Sequence, residues 1–308
     1  MTPDRPTPNR LNIAIAIATA GRREVLADTI DLLARQTRPA DRLLICPADP
    51  RADLDAGRLG AGYPGPSAVV SAPRGLCNQR NALMRAAPEA DLMVFLDDDF
   101  LPCPEFLAET ERLFLQAPDV VMATGTVLAD GILGPGLSLA EGMAALQVAP
   151  PAPGMGEGDG LAEAYNGYGC NMVVRLAPVR AHGLAFDEGL PFYAWLEDVD
   201  FSRQIAAHGR IVKSARLRGV HLGSKRGRSP GRRLGYSQIA NPVYLSRKGT
   251  MSRGRAFAQM KRNLIANAGR ALRPEPWVDR RGRLGGNLLA LLHALTGRLS
   301  PGRVRDMS

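Results

Sequence analysis

Apolar residues in this chain fall into short runs bounded by turn residues, with helical stripes between them. Residues 11–19 (LNIAIAIAT) alternate Ile with Ala and read as a central strand. Val25, Ile30, Leu32 and Leu33 form a helical stripe that ends near Gln36 and Thr37, and Pro39 closes it. Residues 43–46 predict a second strand. Strand, helix and strand make a βαβ unit, whose parallel strands need a right-handed crossover. Residues 51–66 read as a loop. Their Gly60-Ala61-Gly62-Tyr63-Pro64-Gly65 is a formal GxGxxG. It follows no strand, and Pro64 stands where a helix should open, so a surface turn is the reading. Residues 68–70 predict a short strand, and residues 75–87 a helix with a loop at its head.

Leu92-Met93-Val94-Phe95-Leu96 then runs directly into Asp97-Asp98-Asp99. Five consecutive apolar residues predict a strand buried on both faces. The strand must end where the carboxylates begin. That puts the three aspartates at the carboxyl edge of a sheet, where open α/β sheets place ligands. Three adjacent like charges repel unless a positive group lies among them. A hard divalent cation shared with a phosphate meets that need. A solvated acidic turn before the next helix is the plainer alternative.

The pattern continues with a helix over 104–116, strands over 120–125 and 171–174, a helix over 199–207, and a strand over 211–221. Residues 130–165 are rich in Gly, Ala and Pro, and the run 150–160 reads as mobile. Two or three basic helices follow residue 221, and no internal repeat is seen. Short strands with helices between them and acids at strand ends predict a nucleotide-binding α/β fold.

Composition adds a partition of charge. The net charge of +9 combines −7 over residues 1–221 with +16 over residues 222–308. Cys46, Cys77, Cys103 and Cys170 are scattered, with no CxxC pair, which disfavours zinc and a disulfide framework. The first ten residues show no apolar leader, and no run of about 18 apolar residues occurs, so a cytosolic protein without a membrane span is expected.

Four segments, in order, carry a resemblance: ATAGRREVLADTIDLLARQT, RGLCNQRNALMRAA, MVFLDDDFLP and FYAWLEDVDFSRQIAAHGRI. Over residues 13–221 the chain resembles the family 2 glycosyltransferases. The resemblance implies a GT-A fold, with a mixed, mostly parallel central sheet flanked by helices and a basic helical C-terminal extension. It implies inverting transfer from a nucleotide-diphosphate sugar, of UDP or dTDP type, assisted by Mn²⁺ or Mg²⁺. Asp99 would bind the metal, Asp98 the ribose or the metal, and Asp97 would support the nucleotide. Asp198 would be the general base, with Glu197 orienting it or touching the acceptor. His221 would be a late metal ligand. Thr19, Ala20 and Arg22 would cradle the base and ribose, and Asp49 would read a uracil or thymine edge. Asp49 lies in Pro47-Ala48-Asp49-Pro50, where the family has a small Asp/Gly/Ser-rich turn. Arg74, Asn78 and Arg80 fall in the second segment as candidates for phosphate contacts. Trp195 offers a flat face for an acceptor sugar. Asp200 reads as a helix cap paired with Arg203.

The expected organisation is a catalytic domain over 1–223, with a nucleotide half near 11–100 and an acceptor half near 101–223, and a basic helical region over 224–308. Residues 224–236 read as a lid over the phosphates. Leu284, Leu288, Leu291, Leu292, Leu295 and Leu299, flanked by arginines, read as an amphipathic surface helix. That helix is a candidate for an anionic membrane surface, for a homodimer contact or for packing on the catalytic domain. A glycan or lipid-linked glycan acceptor in bacterial surface polysaccharide or glycolipid synthesis is what the resemblance implies. The protein would then be peripheral on the inner face of the cytoplasmic membrane. The rival readings are a metal-dependent nucleotidyltransferase of sugar phosphates and a nucleic-acid binder using the basic tail. The first would show a Gly-rich phosphate loop with a basic residue straight after the first strand, which Thr19-Ala20-Gly21-Arg22-Arg23 matches only in part. The second lacks aromatics for base stacking, so nucleic acid is disfavoured.

Overall fold

A computed structural model describes residues 10–150, 160–227 and 229–307. In chain order the first half comprises β1 (Ile13–Thr19), α1 (Arg23–Leu33), β2 (Arg42–Pro47), α2 (Pro50–Asp53), α3 (Ala56–Gly62), β3 (Ser67–Val69), α4 (Leu76–Arg85), β4 (Leu92–Asp97), β5 (Phe100–Pro102) and α5 (Phe106–Gln116). Then come β6 (Val120–Asp130), α6 (Leu139–Gln147), β7 (Leu161–Glu163), β8 (Asn171–Arg175), α7 (Leu176–His182), α8 (Glu197–Ile205), β9 (Arg210–His221), α9 (Gly231–Lys248), α10 (Arg253–Arg270) and α11 (Arg280–Leu295).

The strands form one sheet in the order β3-β2-β1-β4-β8-β6-β9-β5, with β7 on β9. The first four are mutually parallel, and β8 enters antiparallel between β4 and β6. The sheet is covered on both sides, as a mostly parallel sheet must be. The Ile/Ala alternation of β1 shows how. Ile13, Ile15 and Ile17 join Leu26, Ile30 and Leu33 of α1 in one core cluster. Ala14 and Ala16 face the other side, with Cys77 and Leu83 of α4. A two-residue period thus gives one face large side chains and the other small ones.

Three sequence expectations change. Residues 51–66 hold two short helices rather than a loop, and Gly60 and Gly62 of the formal GxGxxG lie in α3. Each helix starts on an aspartate: Asp49 accepts from the Arg51 and Ala52 amides, and Asp55 from the Arg58 amide. Helices this short have capping chemistry but no readable apolar stripe. Residues 130–165 contain α6, opened by a reciprocal Ser138/Glu141 capping box. Of the run expected to be mobile, residues 151–159 lie outside the described residues. The segment expected as a lid is, from Gly231 onward, the start of α9.

The basic tail packs inward at two levels. Tyr236, Ile239, Ala240, Ala290 and Val304 form a small core of their own. Leu245, Met251 and Ala256 belong to the cluster beneath the central sheet.

Candidate active site

Strand pairing assembles the site. β4 ends at Asp97, the chain turns through Asp98 and Asp99, and β5 pairs Phe100 with His221 at the end of β9. β9 also pairs His221 with Asp130, the last residue of β6. Residues 97–99, 130 and 221 therefore meet at one sheet edge.

Asp99 is fully buried. Its Oδ2 accepts from the Ser224 amide at 2.7 Å. Its Oδ1 has no hydrogen-bond donor and faces His221 Nε2 at 3.3 Å. Asp97 Oδ2 lies 3.9 Å from the same nitrogen. His221 Nδ1 lies 2.9 Å from Asp130 Oδ1, and the Tyr168 hydroxyl donates to Asp130 Oδ2 at 3.1 Å. With Nδ1–H assigned to Asp130, a divalent cation that displaced the second ring proton would find the Nε2 lone pair turned toward the two aspartates. This is the carboxylate–histidine arrangement that orients metal-binding imidazoles. One ligand atom each from Asp97, Asp99 and His221 lies within 4.8 Å of the others. A buried carboxylate oxygen with no donor, beside a second carboxylate and an oriented imidazole, fits a divalent cation of the Mn²⁺ kind. Burial opposes protonation of His221, but Asp130, Asp99 and Asp97 outweigh it and raise the imidazole to about 10. Burial likewise opposes ionisation of Asp99, but His221, Arg22 and the Ser224 amide hold it down at about 2.

Asp98 points elsewhere. Its Oδ2 accepts from Thr19 Oγ1 at 2.6 Å, and its Oδ1 meets Arg22 Nη1 at 2.7 Å. Burial, with the charge of Asp99, raises it to about 6 against the pull of Arg22. Arg22 also donates to the carbonyls of Arg226 and Ser224, which latches the chain after β9 across the end of β1. The close approach requires Gly227, since a Cβ there would stand 2.2 Å from the Ala20 carbonyl oxygen.

The second acidic group opens α8. Glu197 is buried against Arg80 Nη1 at 2.7 Å, while Arg80 Nη2 meets the Gly169 carbonyl at 2.8 Å and Asp97 at 3.5 Å. Arg80 is itself buried over the rings of Phe95 and Phe186. Its guanidinium thus bridges the two acidic groups. Burial raises Glu197, with the neighbouring Asp198 adding to the effect and Arg80 opposing it. Asp198 is half-buried, accepts from the Gly169 and Val199 amides at 3.2 and 2.8 Å, and is also raised by burial.

The loop before α8 is strained. Phe192, Ala194 and Leu196 have φ of 57°, 52° and 76°, a region costly for residues with a Cβ. It is held from outside. The Leu76 amide donates to the Phe192 carbonyl at 2.8 Å, and Asn241 Nδ2 of α9 to the Trp195 carbonyl at 2.7 Å. Asp200, expected to pair with Arg203, is instead fully buried against Lys248 Nζ and Thr250 Oγ1, both at 2.7 Å. Arg203 turns to Tyr165. Only the fold brings residue 248 to residue 200, so local spacing chose the wrong partner. Lys248 holds Asp187 as well, at 2.6 Å. Lys248→Met is expected to cost about 2 kcal/mol, because Asp200 loses, in a buried position, the one cationic partner it has among the described residues. Thermal denaturation measures this, and an unchanged melting temperature would refute it.

A cavity of about 660 Å³ lies over these groups. Of the sequence candidates, Thr19, Ala20, Arg22, Arg74, Arg80, Asp97, Asp98, Trp195, Glu197, Asp198 and His221 line it. Asp99 lies beneath. Asn78 is not among the lining residues, and Asp49 spends its carboxylate on the α2 cap. The sequence reading missed Asp130 and Tyr168 behind His221, and Phe192, Tyr193, Arg233 and Arg262 in the lining. Asp130 carried a signal, an acid closing an apolar run. The two arginines carried none among so many.

No protein-family model matches this chain, and no curated protein matches its sequence. Solved structures do match. The mannosyltransferase PcManGT from Pyrobaculum calidifontis, solved with GDP-Man and Mn²⁺, superposes with a TM-score of 0.55 at 17% identity, over 97% of this chain and 87% of that one. Residues 1–349 of S. aureus TarS give 0.54 at 12% identity, over 96% and 90%. GalNAc-T7, solved with UDP, GalNAc and Mn²⁺, gives 0.56 at 13% identity, over 97% of this chain and 57% of that one. The fold is therefore the GT-A-type fold of glycosyltransferases, a mixed α/β architecture with a mostly parallel sheet.

Proposed function

We propose that this protein is a metal-dependent, inverting glycosyltransferase that moves a sugar from a nucleotide diphosphate to an acceptor hydroxyl. One observation carries the reading: Asp97 and His221 of the metal-capable group and the Asp198 carboxylate open onto a single cavity. Asp97, Asp99 and His221 would hold a divalent ion, whose charge would neutralise that of the departing diphosphate. Arg22 supports the nucleotide side through Asp98 and Thr19. Asp198 takes the proton of the acceptor hydroxyl. The freed oxygen bonds to the anomeric carbon as the bond from that carbon to the diphosphate oxygen breaks, on the opposite face. Arg80 neutralises Glu197 and so keeps the second acidic group from repelling the donor phosphates. Trp195, beside Asp198, gives the acceptor sugar an apolar surface.

The preference for a uracil or thymine base rested on Asp49, which caps α2, so the donor test spans bases. With Mn²⁺ present, one of the UDP-, dTDP- and GDP-sugars is expected to raise the melting temperature by several degrees, and none without metal. A panel in which no nucleotide sugar shifts the transition would overturn the proposal. The fold, shared with the GDP-Man- and UDP-bound enzymes, supports this reading over a nucleotidyltransferase. A role in surface polysaccharide or glycolipid synthesis is the accompanying proposal, tested by assaying such glycans as acceptors.

A further inference from the structure

The described residues expose twelve large apolar side chains, and seven of them fall between residues 257 and 295. Leu288, Leu292 and Leu295 are 56%, 55% and 87% exposed and follow one another at i, i+4 and i+7 on α11. Phe257 and Ile265 stand exposed on α10 at 65% and 59%, with exposed Lys261 between them on the same stripe. Leu272 and Trp277 stand exposed in the turn that joins the two helices. The two helices pack side by side and against α9, to which they turn Asn267, Asn287 and Ala290. Their other faces carry the apolar stripes. The same stretch, residues 253–307, holds 12 Lys and Arg against 3 acids. Two of those acids are engaged: Glu275 pairs with Arg270 and Arg280, and Asp279 caps α11.

We propose that the outward face of α10 and α11 is a docking surface for an anionic lipid bilayer. Exposed Lys261 lies on the α10 stripe and exposed Arg281 seven residues before Leu288 on the α11 stripe, so this leucine-rich face also carries cations. It needs an occupant that offers apolar depth and negative charge together, which an anionic bilayer does. A second copy would set one cationic face against another. Nucleic acid would leave the leucines without a partner. Among the described residues no helix is long and apolar enough to cross a membrane, so the contact lies in the interface plane. Trp277 suits the headgroup level. Arg262, next to Lys261 on the flank of the α10 stripe, lines the catalytic cavity, so the cavity mouth borders the docking face. Resting on the glycosyltransferase reading, this makes the acceptor a membrane-anchored molecule.

Co-sedimentation of the full chain with vesicles tests the surface. The protein is expected to pellet with phosphatidylglycerol/phosphatidylcholine vesicles, not with pure phosphatidylcholine. The triple variant Leu288→Gln, Leu292→Gln, Leu295→Gln should bind about tenfold or more weakly with an unchanged melting temperature. If it folds poorly, Phe257→Gln with Ile265→Gln serves instead. The proposal fails if the native chain ignores anionic vesicles, or if the variants bind as well as it does. It also fails if the native chain is a dimer that the leucine substitutions dissociate. Mn²⁺-dependent stabilisation by a nucleotide sugar should be the same in these variants. Docking and transferase readings therefore fail separately.

Discussion

Asp198→Asn is expected to lower the transfer rate about 10³-fold while leaving nucleotide-sugar binding intact, the loss typical of a removed general base. The Gly169 amide now bonds to Oδ2 and the Val199 amide to Oδ1, so asparagine keeps an oxygen for one of the two and loses the other bond. The side chain keeps its shape and loses its proton acceptor. Two effects on stability then oppose each other. Burial raises Asp198, so the folded state holds this proton more tightly than the unfolded chain does. Its contribution to stability is present below the unfolded pKa and is lost as pH rises through the folded one. The ionised carboxylate therefore destabilises the fold at neutral pH, and its removal offsets the amide bond that asparagine loses, so the melting temperature should change little. In the native protein the proposed transfer should slow as pH drops through the raised pKa, because the base must be ionised to act. Single-turnover rates, donor binding and melting curves measure all three. Normal turnover in the variant would exclude Asp198 as the base.

Asp99→Asn is expected to abolish Mn²⁺-dependent stabilisation by the nucleotide sugar and to lower transfer about 10³-fold, the equivalent of several kcal/mol of metal assistance. Asp98→Asn is the control. Asp98 is bonded to Thr19 and Arg22, so its loss should lower stability and leave Mn²⁺ binding in place. Calorimetric titration with Mn²⁺ separates the two. If Asp98→Asn lost metal and Asp99→Asn kept it, the roles proposed within the triplet would be reversed.

That division within the triplet was set by the turn that follows β4. The chain leaves β4 at Asp97 and turns through Asp98 and Asp99, so strand alternation does not govern the three side chains. Asp97 and Asp99 share a side, with His221, while Asp98 turns to Thr19. The sequence reading set Asp98 at the ribose or the metal, beside Thr19 and Arg22, and Asp97 in support of the nucleotide. Arg80 shows a different limit. It was a candidate for phosphate, but it is buried between Glu197, Asp97 and the Gly169 carbonyl, and nothing local in the sequence announces a salt bridge to a residue more than a hundred positions away.

The sequence by itself determined the α/β class, the buried strands, the acids at their ends and the amphipathic character of the tail. Each of these is written in local apolar periodicity and in turn residues, which act over a few positions. The tertiary structure alone decided which acids meet. The pairing of β9 with both β5 and β6 carries His221 to Asp99 and Asp130. The docking of α9 gives Asp200 its lysine and Trp195 its anchor. Such contacts follow from how a whole sheet closes its hydrophobic faces, and a short-range pattern holds no record of them.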